Sequence, residues 1–149
     1  MNENIIFEKS YRTIHDGHLA KVYNEKTGIE IAEPISFDSE NEKFTSIDYF
    51  IGSIVSEIIL SMSKVARAKN TILQDVEAKA LVEIRNPLYL LNVVGYEEES
   101  YISKIIIDIY YFSFLEGEFL EEFQREVLSR TLIYNSFKDK IEVNFKLVL

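Results

Sequence analysis

The chain has 149 residues, 47% of them hydrophobic, no cysteine, and a formal net charge of −9. A chain of this length makes one domain, 1–149, burying about 68–70% of its unfolded surface. The acidic balance disfavours nucleic acid and membrane as partners, because both are held by basic faces. No run of about 18 apolar residues is free of charges, and MNENIIFEKS has no basic segment leading into an apolar one. The expected location is therefore the cytoplasm. Without cysteine there is no disulfide, no thiolate metal site and no thiol nucleophile.

Ile5–Thr13 and His18–Asn24 have strand composition, and Asp16-Gly17 between them is a hairpin signal. The turn brings His15, Asp16 and His18 together, but two histidines without further ligands are a weak metal signal, and solvated turn residues are the favoured reading. Neither a metal nor a cofactor is expected. A turn at Glu25–Gly28 leads into the alternating strand Ile29–Ala32, ended by Pro34. Asp38–Lys43 reads as a charged loop.

Phe44–Asn70 is the dominant element. Ile47, Ile51, Ile54, Val55, Ile58, Met62, Val65 and Ala66 recur at threes, fours and sevens, the stripe of a helix over about 46–70. Thr45 followed by Asp48 resembles a capping box, and Lys64, Arg67 and Lys69 suit the negative end of the helix dipole. Gly52, Ser56 and Ser63 form a second, small-residue face against which another helix could pack. Glu57 lies between the two faces.

Beyond this helix, Val76, Ala78, Ala80, Val82 and Ile84 alternate with mostly polar residues, the pattern of a strand with one wet face. Asn86-Pro87 breaks it. Leu88–Val94 fits either a covering segment or a short strand, the covering segment being favoured. Tyr101–Ser113 is a longer strand, its Ile105, Ile107, Ile109 and Tyr111 on one face, and its length suggests a central place. A second helix is expected over about 117–130 with Phe119, Phe123 and Val127 inward and Leu120 and Leu128 widening the stripe, then a helical turn at Thr131–Phe137 and a strand from Ile141 to the terminus. The order makes α+β with a mostly antiparallel sheet.

Several segments in this order are similar to the osmotically inducible protein C (OsmC) and organic hydroperoxide resistance superfamily. They are Ile29-Glu30-Ile31-Ala32-Glu33-Pro34, Ser46-Ile47-Asp48-Tyr49-Phe50, Val65-Ala66-Arg67-Ala68-Lys69 and Leu73-Gln74-Asp75-Val76-Glu77. Ser46 stands where the family has proline, and Asp48 where many members have glutamate. The resemblance covers nearly the whole chain and implies a sheet wrapped around a long central helix, an intertwined homodimer and a stress-response setting.

Members of that family reduce organic hydroperoxides with two cysteines, one within the long helix and one near the start of the last short helix. By spacing, Glu57 falls at the first and Thr131 at the second, and neither can form a sulfenic acid or resolve one. Arg12 is the candidate for the family's activating arginine. The resemblance thus implies the fold without the activity.

Glu57 has two readings. It is a helix-surface acid bonded to Ser53, Ser61 or a basic side chain, or it lies in the former peroxidase pocket at the subunit interface as ligand-binding group or general base. Asp48, Tyr49, Phe50, Ser53, Tyr110 and Tyr134 could line that pocket. Three functions follow: a non-catalytic binding or structural homodimer, which is favoured; an enzyme or small-molecule-binding protein using Glu57; and a hydroperoxide reductase, which the absence of cysteine contradicts.

Overall fold

The computed structural model describes residues 5–33 and 43–149. Pro34 and most of the charged loop, 38–42, lie outside the described residues. The chain divides into two compact units, one up to Tyr49 and one from Phe50.

The first unit is an antiparallel meander of β1 (Arg12–Asp16), β2 (Leu19–Tyr23) and β3 (Gly28–Ile31). Asp16 pairs with Leu19, so the hairpin loop is Gly17-His18, one residue later than the Asp-Gly signal suggests. Gly17 takes φ 63. A positive φ at the first central position is what a type II′ turn demands, whereas Asp16 has gone into the strand, where its carboxylate meets Lys21 at 2.9 Å. In the second turn Asn24 Oδ1 accepts the N–H groups of Lys26 and Thr27, both at 2.8 Å. Gly28 follows under the Tyr23 ring, where a Cβ would lie 2.7 Å from Cδ1, so glycine is required by close approach. The strand expected over Ile5–Thr13 is confined to its end: Ile5–Tyr11 pair with no described strand, and Ile5, Ile6 and Phe7 are exposed. Strand composition without a neighbouring ladder does not make a strand.

α1 (Ser46–Ala68) is the long helix. Its start is the capping box the sequence suggests, with Asp48 Oδ2 accepting from Thr45 N–H at 2.8 Å and from Thr45 Oγ1 at 3.0 Å. From Phe50 onward, the second unit sets α1 with β4 (Leu73–Arg85), β5 (Tyr101–Ser113), α3 (Gly117–Ser129) and β6 (Ile141–Leu147). Ile54, Ile58, Met62, Val65 and Ala66 form one buried cluster with Ile105, Ile107, Ile109 and Tyr111 of β5 and Phe123 and Val127 of α3. By length and composition α1 could cross a membrane, but its stripe is the core of this unit.

β5 is central, antiparallel to β4 and parallel to β6. Among the described residues there are therefore two three-stranded sheets, with one parallel pair in the second. β6 stops at Leu147 rather than at the terminus, although Val148 N–H still donates to Tyr111 O at 2.8 Å. Leu88–Val94 is not a strand: α2 (Pro87–Leu90) is one helical turn after Asn86, which takes φ 55. Asn86 Nδ2 donates to Glu99 O at 3.1 Å and Ser100 Oγ donates to Asn86 O, closing the connection at its base. Phe119 is exposed rather than inward, and Leu120 packs in its place. At about 100° per residue Leu120 lies roughly 20° from Val127 around the helix and Phe119 roughly 80°. Two small elements, α4 (Ile133–Phe137) and a 3-10 turn (Lys138–Lys140), complete the crossover to β6.

Candidate functional site

Like any helix, α4 leaves its first backbone N–H groups without partners in its own turn. Its cap position, Leu132, has no side chain able to accept them. Glu57 accepts them instead. Leu132 N–H donates to Oε2 at 3.0 Å, Ile133 N–H to Oε1 and Oε2 at 2.9 and 3.1 Å, and Tyr134 N–H to Oε1 at 3.2 Å. A negative group here also suits the dipole of the short helix. The carboxylate is thus a remote cap, presented by the middle of α1 to a turn 75 to 77 positions later.

Neither Ser53 nor Ser61 is its partner. Ser53 Oγ donates to Phe50 O at 2.7 Å, and the buried Ser61 Oγ to Val127 O at 2.7 Å, tying α1 to α3. A carboxylate has about four lone-pair positions, and four contacts here occupy them, which leaves little room for a general base to take a proton.

Thr131 is buried at the end of α3, with Oγ1 donating to Leu128 O at 2.6 Å, one residue before the first N–H that Glu57 accepts. The fold therefore brings positions 57 and 131 into one neighbourhood. Phe50 meets the Phe137 ring edge-on at 5.6 Å, and Tyr134 reaches Glu57 through its backbone. Tyr110 is not in this neighbourhood. It lies on the face of β5 opposite Tyr111, between Lys79 and Lys146, whose ammonium groups are 5.9 and 5.3 Å from its ring. Asp48 and Tyr49 belong to the first unit, Asp48 in its capping box and Tyr49 against Phe44 at 5.4 Å. Arg12 stacks over Tyr23 at 5.4 Å. Among the described residues no group of three acidic or histidine side chains could hold a metal.

Beside Glu57 runs an open groove of about 720 Å³. α1 lines it with Ser53, Ser56, Leu60, Ser61 and Lys64, and Ser129 and Arg130 close it from the end of α3. Of this lining only Ser53 and Glu57 belong to the pocket the sequence suggests; Ser56, Leu60, Ser61, Lys64, Ser129 and Arg130 do not. Lys64 sits seven residues after Glu57, two turns along the same side, and that spacing was the available signal. Arg130 Nε pairs with Glu126 at 3.2 Å, and Glu126 also holds Lys69 at 3.1 Å. The hydrogen bond from Lys69, aided by Arg130, lowers the Glu126 pKa.

The fold is that of the OsmC-like proteins. Over 97% of this chain and 99% of the other, it matches an OsmC-like protein of Mycoplasma pneumoniae at TM-score 0.71 and 12% identity. An OsmC-like protein of Vibrio cholerae matches at 0.67 and 11% over 96% and 100%. The organic hydroperoxide resistance protein OhrB of Bacillus subtilis matches at 0.61 and 12% over 95% and 98%. No protein-family model matches the sequence, and no curated protein matches it significantly.

Proposed function

We propose that this is an OsmC-like protein without thiol-peroxidase chemistry, working in the cytoplasm as a non-catalytic binding or structural homodimer. The observation that carries the reading is the chain's lack of any cysteine. Peroxide reduction needs a polarisable thiolate to take the distal oxygen and a second thiol to resolve the product, and no side chain here supplies either. The cap made by Glu57 adds to this, since its carboxylate is engaged in holding backbone. The dimer reading is supported by surface chemistry. Gly52 and Ser56 are exposed on α1, nothing lies within 4 Å of a Cβ built at Gly52, and Leu60 and Leu132 are 68% and 75% exposed. Small residues flanked by uncovered apolar side chains suit close approach of a second copy.

The test is turnover. Incubated with tert-butyl hydroperoxide and dithiothreitol, the protein is expected to consume peroxide no faster than buffer alone. Consumption above that background which survives repurification overturns the reading.

A further inference from the structure

The connection between β4 and β5 is longer than a hairpin turn needs, and it is built to hold one shape. Asn86 Nδ2 donates to Glu99 O and Ser100 Oγ to Asn86 O, so its two ends meet as they do in an Ω-loop. Within it, backbone N–H groups donate from Tyr89 to Asn86 O, from Asn92 to Tyr89 O, from Val93 to Leu88 O and from Tyr96 to Val93 O. Leu88, Leu91 and Val93 are partly buried and anchor it. The other large apolar side chains face water: Tyr89, Leu90 and Tyr96 are exposed, and Val94 is 97% exposed. Ordering backbone in order to hold apolar side chains in water adds nothing to folding, whereas a surface ordered before its partner arrives loses less entropy on binding. Tyrosine suits such a surface, since its large ring is fixed by only two torsions.

Charge decides what the partner is. From Pro87 to Tyr101 the only charged residues are Glu97, Glu98 and Glu99, consecutive and all negative. No ion pair among the described residues engages them. Such a run repels phosphates and anionic headgroups, which excludes nucleic acid and an acidic bilayer. A second copy is disfavoured too, because a two-fold contact sets the same patch against itself and brings three glutamates to three. We propose that residues 88–99 are a docking loop for a different protein, through a segment whose large apolar side chains are edged by lysine or arginine. The apolar side chains seat on Tyr89, Leu90, Val94 and Tyr96, and the cations face the glutamates. This goes beyond the dimer reading, shares no residue with the α1 face offered to a second copy, and can fail without it.

The experiment pans a phage-displayed library of random peptides on the full-length protein, after depletion on the double variant Val94→Ser, Tyr96→Ser. Enriched sequences are expected to combine Lys or Arg with large apolar residues. A synthetic copy of the most enriched peptide, titrated into nitrogen-15-labelled protein, should shift the amide resonances of residues 88–99. Replacing Glu97, Glu98 and Glu99 together by Gln should weaken it about tenfold at low salt, as three exposed charge pairs imply, and far less at about 0.5 M salt. Val94→Ser should weaken it about fivefold at either salt, because lost apolar contact is not screened. The same spectra show that each variant is folded. The proposal is overturned if no peptide survives depletion, if the survivors lack basic residues, if the shifts centre elsewhere, or if the triple Gln variant binds as tightly at low salt as the unsubstituted protein.

Discussion

Glu57 is conspicuous in the sequence, an acid in the middle of an otherwise apolar and small-residue helix, yet its partner is not legible there. The three N–H groups it accepts lie 75 to 77 positions away, at a turn whose own sequence, Leu132-Ile133-Tyr134, carries no capping side chain. Local rules look one turn along the helix, toward Ser53 and Ser61, and both hydroxyls are committed to carbonyls. The structural role makes a prediction. Glu57→Ala should destabilise the protein by about 1–3 kcal/mol, since it removes a cap made through charge-assisted hydrogen bonds. Glu57→Gln should cost about half as much, because one amide oxygen remains to accept. Urea denaturation checks both, and an unchanged midpoint for Glu57→Ala would show that the cap contributes nothing.

Elements with a clean period were readable, and those defined by pairing were not. The alternation from Val76 to Ile84, interrupted at the exposed Ala80, and the face of β5 carrying Ile105 to Tyr111, follow from period-2 burial. That β6 runs parallel to β5 could not be read, because alternation is the same in either direction. Phe119 shows a similar limit: a spacing of four drifts around a helix, and of the stripe read from the sequence Leu120 and Leu128 pack inward while Phe119 stays exposed. Where elements meet, charge gives a pH prediction. Glu126, on α3, joins Lys69 just past the end of α1 to Arg130, and its pKa is held below the ordinary 4.5 by the Lys69 hydrogen bond first and Arg130 second. A depressed carboxyl pKa stabilises the folded state above pH 4.5, and the contribution is lost as pH falls through the lower, folded value. Glu126→Gln should therefore lower the melting temperature at pH 7 by a small, salt-sensitive amount, the pair being partly solvated, and the gap to the unsubstituted protein should narrow as pH falls below 4.5 and the folded-state carboxyl protonates. A gap that does not change with pH contradicts the ion-pair account.

For the molecule as a whole, the sequence order of strands and helices led to α+β and to the OsmC-like fold, which the solved structures match over nearly their full lengths. The division into two sheets was not visible, since a strand run says nothing about which sheet it joins. The homodimer proposal makes its own predictions here. Unfolding midpoints should rise with protein concentration, because association stabilises only the folded copies. Ser56→Phe should weaken association by roughly 1–3 kcal/mol through overpacking. Light scattering that finds a 17.4 kDa particle at micromolar concentration removes the dimer, and Ser56→Phe without effect on assembly or melting moves the contact off this face.

The remote cap also acts as a ratchet. Replacing Glu57 by Cys strips three backbone N–H groups of their acceptor in one step, before any redox chemistry can be gained, and Thr131→Cys must follow before a thiol pair exists. An intermediate with Cys at position 57 alone is expected to melt lower, because the cap is lost before a resolving thiol is present. The double variant Glu57→Cys, Thr131→Cys is expected to show little peroxide turnover and a lower melting temperature. Only if α4 is first given a cap of its own, as with Leu132→Asp, does position 57 become free to change.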